Sequence, residues 1–119
     1  MSGRILAHSN LIEVRQGDSF SIYLQIKKSH KNIDMRGSMV TMQVRDDTDH
    51  ILLNKSATEI DASIGKMLLR LTPDDTNINV GEYKVDIELT LPDGSVHTIF
   101  PAEINKVGIF RITEQVTRQ

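Results

Sequence analysis

The side chains that could carry out chemistry in this chain are few and lie far apart in sequence. The histidines occupy four separate segments, and none has a second histidine or an acid at the spacing of a helical metal site. They are His8, His30, His50 and His97. No serine lies in a Gly-x-Ser-x-Gly setting, and cysteine is absent. We therefore predict a non-enzymatic protein with no catalytic residue, no cofactor and no metal ligand.

An acidic cluster is formed by Asp46, Asp47 and Asp49. Oxygen ligands close together in sequence can hold calcium, but this stretch lacks the glycine and the distal glutamate of a calcium-binding loop. Acidic residues in a turn also accept hydrogen bonds from their own backbone. The cluster is interpreted as a structural turn.

Two segments are candidates for binding another protein. Lys27, Lys28 and Lys31 form a basic cluster that either meets an acidic partner or is simply a solvated loop. Residues 1–10 have no strand pattern and are predicted to be a flexible arm. Within the arm, the candidate interface residues are Arg4, Ile5 and Leu6. An arm of this kind either becomes ordered on a partner or frays.

Composition narrows the class of protein. The chain has 119 residues, 39% of them hydrophobic, which suits one globular domain. A net charge of -2 and the absence of tryptophan argue against nucleic acid as a partner. No stretch has the length of a membrane span or the pattern of a signal peptide, so we expect no membrane insertion and synthesis in a cytoplasm.

The elements that must position these residues are strands. Apolar and polar residues alternate with a period of two, and turn signals recur about every ten residues. About eight short strands are predicted in this way, with no long helix. The alternating segments are 11–15, 20–27, 40–45, 51–55, 67–71, 83–91, 96–100 and 108–116. The pattern predicts an all-β, immunoglobulin-like β-sandwich over residues 11–118.

The segment that enters the longest of these strands carries the clearest local signals. Thr72 suits a helix cap, Pro73 suits the first helical position, and Asp75 stands where a capping box needs an acid. A single helical turn is therefore predicted over 72–76. The strand follows after Gly81, with Tyr83 near its start in a position typical of the corner between two sheets.

Three motifs of this chain resemble those of one group of proteins. They are Gly-Asp-Ser-Phe at 17–20, the turn Thr-Pro-Asp-Asp-Thr at 72–76, and Gly-Glu-Tyr at 81–83. In this order they are similar to the immunoglobulin-like β-sandwich domains of tailed-bacteriophage virion proteins, in particular the N-terminal domain of upper baseplate proteins. The resemblance covers about residues 11–118. Residues 101–108 depart from the pattern as a longer connection, which we interpret as an interface loop specific to this protein.

The resemblance implies a structural module rather than an enzyme. The expected function is a tail, baseplate or neck adaptor in a bacteriophage virion, bound to other virion proteins in a symmetric assembly of many copies. The alternatives are a capsid decoration protein and a receptor- or glycan-binding domain. The protein would be made in the host bacterial cytoplasm and reside in the virion.

Overall fold

A computed structural model describes residues 3–5, 10–102 and 106–115, and for residues 3–5 only the backbone is described. Twelve strands and one short 3-10 turn cover these residues. They are β1 (Gly3–Ile5), β2 (Leu11–Arg15), β3 (Phe20–Gln25), β4 (Lys27–Lys28), β5 (Lys31–Asn32), β6 (Met39–Arg45), β7 (Ile51–Ser56), β8 (Thr58–Asp61), the 3-10 turn (Ala62–Ile64), β9 (Lys66–Leu71), β10 (Gly81–Thr90), β11 (Val96–Phe100) and β12 (Gly108–Thr113).

The larger sheet has the order β1-β2-β12-β10-β6-β7, and β11 also pairs with β10. All its strands pair antiparallel except β2 and β12, which run parallel. The position of β1 corrects the prediction of an irregular arm, because the backbone of Gly3–Ile5 pairs with β2. Without β1, β2 would present a row of unpaired backbone groups at the edge of the sheet, and pairing satisfies them.

The smaller sheet has the order β3-β9-β8. Its buried residues, such as Ile22 and Leu69, belong to the same core as those of the larger sheet, so the two sheets face each other. One continuous segment, β7 to β8, passes from the larger sheet to the smaller one through Ala57. The backbone N–H of Ala57 donates to the carbonyl of Val40, which holds the crossing against β6 (2.8 Å). A third, two-stranded sheet is formed by the hairpin β4-β5. The predicted immunoglobulin-like β-sandwich is therefore confirmed, and the structure adds four strands of two to four residues that the alternation does not indicate, β1, β4, β5 and β8.

The core lies between the two sheets and follows the predicted alternation. In β10 the inward residues Val85, Ile87 and Leu89 are buried, while Lys84, between Tyr83 and Val85, is exposed. In β12 Phe110 and Ile112 are buried, as predicted. Tyr83, in contrast, is only half-buried, because its hydroxyl donates to the carbonyl of Asn79 at the entry of β10 (2.6 Å). A phenol can serve as an anchor between core and solvent in this way.

The segment predicted as a helical turn, 72–76, forms hydrogen-bonded turns and not a helix. Its capping box is complete: the Asp75 N–H donates to Thr72 Oγ1 (3.2 Å) and the Thr72 N–H donates to Asp75 Oδ2 (2.8 Å). The turn ends at Thr76, which is fully buried and donates from Oγ1 to the carbonyl of Asp18 (2.7 Å). This bond ties the entry of β10 to the turn between β2 and β3.

Asp75 also has a distant partner, since Lys55 Nζ donates to the same oxygen Oδ2 (2.8 Å). Burial tends to raise the pKa of Asp75, but the hydrogen bonds from Lys55 and Thr72 outweigh it and hold the pKa below its ordinary value. A carboxyl whose pKa is lower in the folded state stabilises the fold at a pH above its unfolded pKa, about 3.9. That stabilisation is lost as the pH falls through the lower, folded pKa.

We expect Asp75→Asn to lower the free energy of unfolding by about 1.5–3 kcal/mol at neutral pH, the usual value of hydrogen bonds to a charged group. Since asparagine does not titrate, the difference from the wild type shrinks as the pH falls below about 4. Urea unfolding of both proteins at several pH values measures this difference in the free energy of unfolding. The matched control is Asp74→Asn, because Asp74 is the exposed neighbour. Equal losses in both variants would contradict this account.

Candidate functional site

The described histidines lie apart in the structure. His30 is in the β4-β5 turn, His50 precedes β7 and His97 lies in β11, all of them exposed. His8 is outside the described residues. No group of three or more His, Cys, Asp or Glu side chains able to hold a metal ion occurs in the part of the chain that the structure describes.

The acidic turn has the structural role that the sequence indicates. Asp46 Oδ1 accepts hydrogen bonds from the backbone N–H groups of Thr48 (2.9 Å) and His50 (2.9 Å), and from the Thr48 hydroxyl (2.8 Å). The Thr48 hydroxyl and these backbone bonds hold the pKa of Asp46 below its ordinary value. Asp46 therefore fixes the β6-β7 connection, while Asp49 points to a different partner, Lys84 (3.5 Å).

The predicted interface residues fall into two groups. Lys27, Lys28 and Lys31 come together on the β4-β5 hairpin, where all three are exposed. Arg4 and Ile5 belong to β1 at the edge of the larger sheet, and Leu6 lies outside the described residues. The two groups belong to different sheets, so the structure does not place them on one sheet surface.

A groove not predicted from the sequence lies on the outer face of the larger sheet. It forms where β10 changes partners: residues 81–85 pair with β12, and from Ile87 onward β10 pairs with β11. Asp86 lies at this junction, and a register shift follows between Ile87 and Glu88. The two partner strands are joined by a connection whose described ends, Pro101–Ala102 and Lys106–Val107, form a wall of the groove. Its volume is about 550 Å³.

One glycine allows the groove to form at this point. Gly108, the first residue of β12, pairs with Val85 of β10. A Cβ at Gly108 would lie 2.1 Å from the carbonyl oxygen of Val85, so a larger residue would push the strands apart. Glycine thus lets β12 approach β10 closely up to the place where the sheet divides.

Charged side chains from three segments converge in the groove. Arg45 and Lys84 are direct cross-strand neighbours on β6 and β10, and Lys106 comes from the wall. Arg45 is bonded to a neutral side chain, since its guanidinium donates to Gln43 Oε1 from Nε (3.2 Å) and from the terminal nitrogen Nη2 (2.7 Å). Among the described residues, Arg45 has no carboxylate partner.

The two acids of the groove differ in whether they have an ion-pair partner. Asp49, which is largely exposed, makes the long ion pair with Lys84. Asp86 is half-buried on the floor and has no hydrogen-bonding or ion-pair partner among the described residues. The groove therefore offers cations with spare hydrogen-bonding capacity beside a carboxylate with spare acceptor capacity.

Sequence reasoning missed this site for a clear reason. Arg45, Lys84 and Asp86 appear in the sequence as ordinary polar residues on the solvent side of alternating strands. Their convergence depends on the exchange of partners along β10, which is a long-range property. The one local signal is the longer connection over 101–108, interpreted above as an interface loop.

Comparison with known proteins shows a similarity of fold to a solved structure. No family model matches the chain, and no curated protein matches it. Among solved structures, the crystal structure of CopC from Methylosinus trichosporium OB3b matches with a TM-score of 0.52 at 13% identity. The match covers 99% of this chain and 98% of that chain. At this identity the similarity shows the fold alone.

This comparison corrects the predicted function. CopC from Methylosinus trichosporium OB3b, which matches this chain over nearly its whole length, is not a component of a phage tail, baseplate or neck. The predicted virion adaptor is therefore wrong on this finding, and its inference from the motifs failed because they describe turns and strand entries that many sandwiches need. The resemblance of the motifs, the virion location and the virion partners stay predictions. The described residues contain no helix long and apolar enough to cross a membrane.

Proposed function

We propose that this protein is a non-enzymatic binding module, and that the groove on its larger sheet holds a small ligand with an anionic group. The observation that carries the proposal is the pairing of Arg45 and Lys84 beside the division of the sheet. These two cations lie on adjacent strands of one sheet, so the backbone register places their Cα atoms side by side. A site on strands holds its geometry better than one on loops.

The chemistry of the groove supports binding rather than catalysis. Its described lining contains no histidine, serine or cysteine, and therefore no Ser-His or Cys-His pair. It does contain fixed hydrogen-bond donors and acceptors in an open concave surface of about 550 Å³, within the usual range of small-molecule sites. Such a surface can bind and orient a ligand without transforming it.

The arrangement also indicates which ligand would fit. A carboxylate or phosphate would accept hydrogen bonds from the Arg45 guanidinium and the Lys84 ammonium. Asp86 would accept a hydrogen bond from a hydroxyl or amine of the same molecule. The ligand class is therefore a small molecule that carries an anionic group at one end and a hydrogen-bond donor at the other.

Amide NMR titration with a panel of small carboxylates and phosphates, including inorganic phosphate, tests the proposal. We expect millimolar or tighter binding by at least one member, with the largest shifts at Lys84, Asp86 and Gly108. Arg45→Ala and Lys84→Ala should each weaken that binding about tenfold, the equivalent of one charge-assisted hydrogen bond.

The matched control is Arg70→Ala, since Arg70 is an exposed arginine on β9 of the other sheet. Arg70→Ala should bind the same ligand with the affinity of the wild type. Shifts centred on the β4-β5 hairpin, or equal weakening by all three variants, would show that anions bind by general charge and not in the groove. Absence of binding across the panel would also reject the proposal.

A further inference from the structure

The β4-β5 hairpin combines several locally unfavourable features in six residues. Residues 27–32 carry three lysines and no acid. Lys28 and Lys31 face each other directly across the hairpin, where Cβ atoms of a pair lie about 5 Å apart. Like charges in this position destabilise a strand pair. None of the three lysines has an ion-pair partner among the described residues.

The turn between the two strands is also unfavourable. Ser29 has a φ of 52° and His30 a φ of 65°, so both central residues of the two-residue loop are left-handed. A type I′ turn requires this conformation and normally uses asparagine and glycine. Serine and histidine adopt it with a steric cost. Both the charges and the turn residues therefore lower the stability of the hairpin.

The base of the hairpin, in contrast, is firmly fixed. The Ile26 N–H donates to the carbonyl of Gly65 (2.9 Å), and the Ile33 N–H donates to the carbonyl of Ile26 (3.3 Å). Ile26 is buried, and the Met35 that follows the hairpin is fully buried. The fold thus presents an exposed basic tip on a rigid base, although a looser loop would relieve the repulsion between Lys28 and Lys31.

The acids Asp34 and Asp61 are bonded to residues other than the three lysines. Asp34 is held by Arg36 through two side-chain nitrogens, and these bonds lower the pKa of Asp34 to about 2. Asp61 accepts a hydrogen bond from the Ser63 hydroxyl (2.6 Å). The three ammonium groups are left to solvent or to a partner.

We propose that the β4-β5 hairpin is a docking element for an acidic segment of a partner protein, whose carboxylates lie between Lys28 and Lys31. Such a segment would turn the repulsion across the hairpin into attraction. A protein partner is favoured over nucleic acid because the whole chain has a net charge of -2, which repels an extended polyphosphate. The short hairpin attracts a short acidic segment through its local charge. Proteins often break local rules of stability at functional sites.

Fluorescence anisotropy tests the proposal, with a fluorescein-labelled oligoglutamate peptide as the probe. An oligoglutamine peptide and a single-stranded DNA oligonucleotide of similar length are the comparison probes. We expect oligoglutamate to bind the wild type at moderate salt, and the other two probes to bind at least tenfold more weakly. Lys28→Glu should reduce oligoglutamate binding at least tenfold.

Lys28→Glu has a second expected effect that separates docking from damage to the fold. It replaces a like-charge pair with an opposite-charge pair at Lys31, so the melting temperature should rise or stay equal while binding is lost. The matched control is Arg70→Glu, the same charge change at an exposed arginine on β9, outside both the hairpin and the groove, which should leave oligoglutamate binding unchanged. Equal losses in both variants, stronger binding of the oligonucleotide, or no oligoglutamate binding would each overturn the proposal.

Discussion

Gly65→Ala is expected to lower the free energy of unfolding by about 3 kcal/mol, the sum of a conformational and a steric cost. Gly65 has a φ of 78°, which alanine adopts at a cost of about 1–2 kcal/mol. An added Cβ would also lie 2.6 Å from the carbonyl oxygen of Ile26 and 3.0 Å from that of Ile33. Both contacts are backbone atoms at the base of the β4-β5 hairpin, so they cannot rotate away.

Urea unfolding followed by circular dichroism measures this loss. Gly94→Ala provides the control, because Gly94 has a φ of 87° with no atom within 4 Å of an added Cβ. It should lose only the conformational part, about 1–2 kcal/mol. If the two variants lose the same amount, the close approach of the hairpin base to Gly65 is contradicted.

Phe110→Ala is expected to lower the free energy of unfolding by about 3–5 kcal/mol. Phe110 is fully buried, and it lies between Tyr83 of β10 and Ile12 of β2 in the register of the larger sheet. Removal of its ring leaves a cavity among strands that cannot collapse without breaking their hydrogen bonds. A loss of this size is a large part of the total stability of an ordinary domain, about 5–15 kcal/mol.

The same unfolding measurement applies, with Tyr23→Ala as the aromatic control. Tyr23 is 70% exposed on β3, so its replacement costs only strand propensity, about 1 kcal/mol or less. Phe110→Leu should fall between the two, since leucine keeps part of the buried volume. A Phe110→Ala variant no less stable than Tyr23→Ala would show that Phe110 does not occupy the core.

Local features of the sequence predict the local features of the fold. The alternation in 83–91 gives the inward face of β10, and the capping box between Thr72 and Asp75 is present as expected. The same reasoning fails wherever a residue has a distant partner. Lys55 on Asp75 and the pairing of β1 with β2 leave no trace in the sequence near either residue.

The candidate sites show the same limit. The lysines of the β4-β5 hairpin are visible as a basic cluster, but their turn is hidden because Ser29 and His30 replace the usual asparagine and glycine. The groove depends on which strands lie beside β10, and the alternation of apolar and polar residues does not predict which strands pair. A periodic pattern describes which face of a strand is buried, whereas a binding site depends on what lies beside that strand.

The parallel pair of β2 and β12 has a consequence for synthesis of the protein. Glu13 of β2 bonds to Arg111 of β12 across 98 positions of the chain. β2 is synthesised early and can pair with β1 at once, but its second neighbour in the larger sheet, β12, exists only after residues 108–113 have been made. Until then the edge of β2 that will pair with β12 has unpaired backbone N–H and C=O groups, and such an edge can pair with another newly made chain.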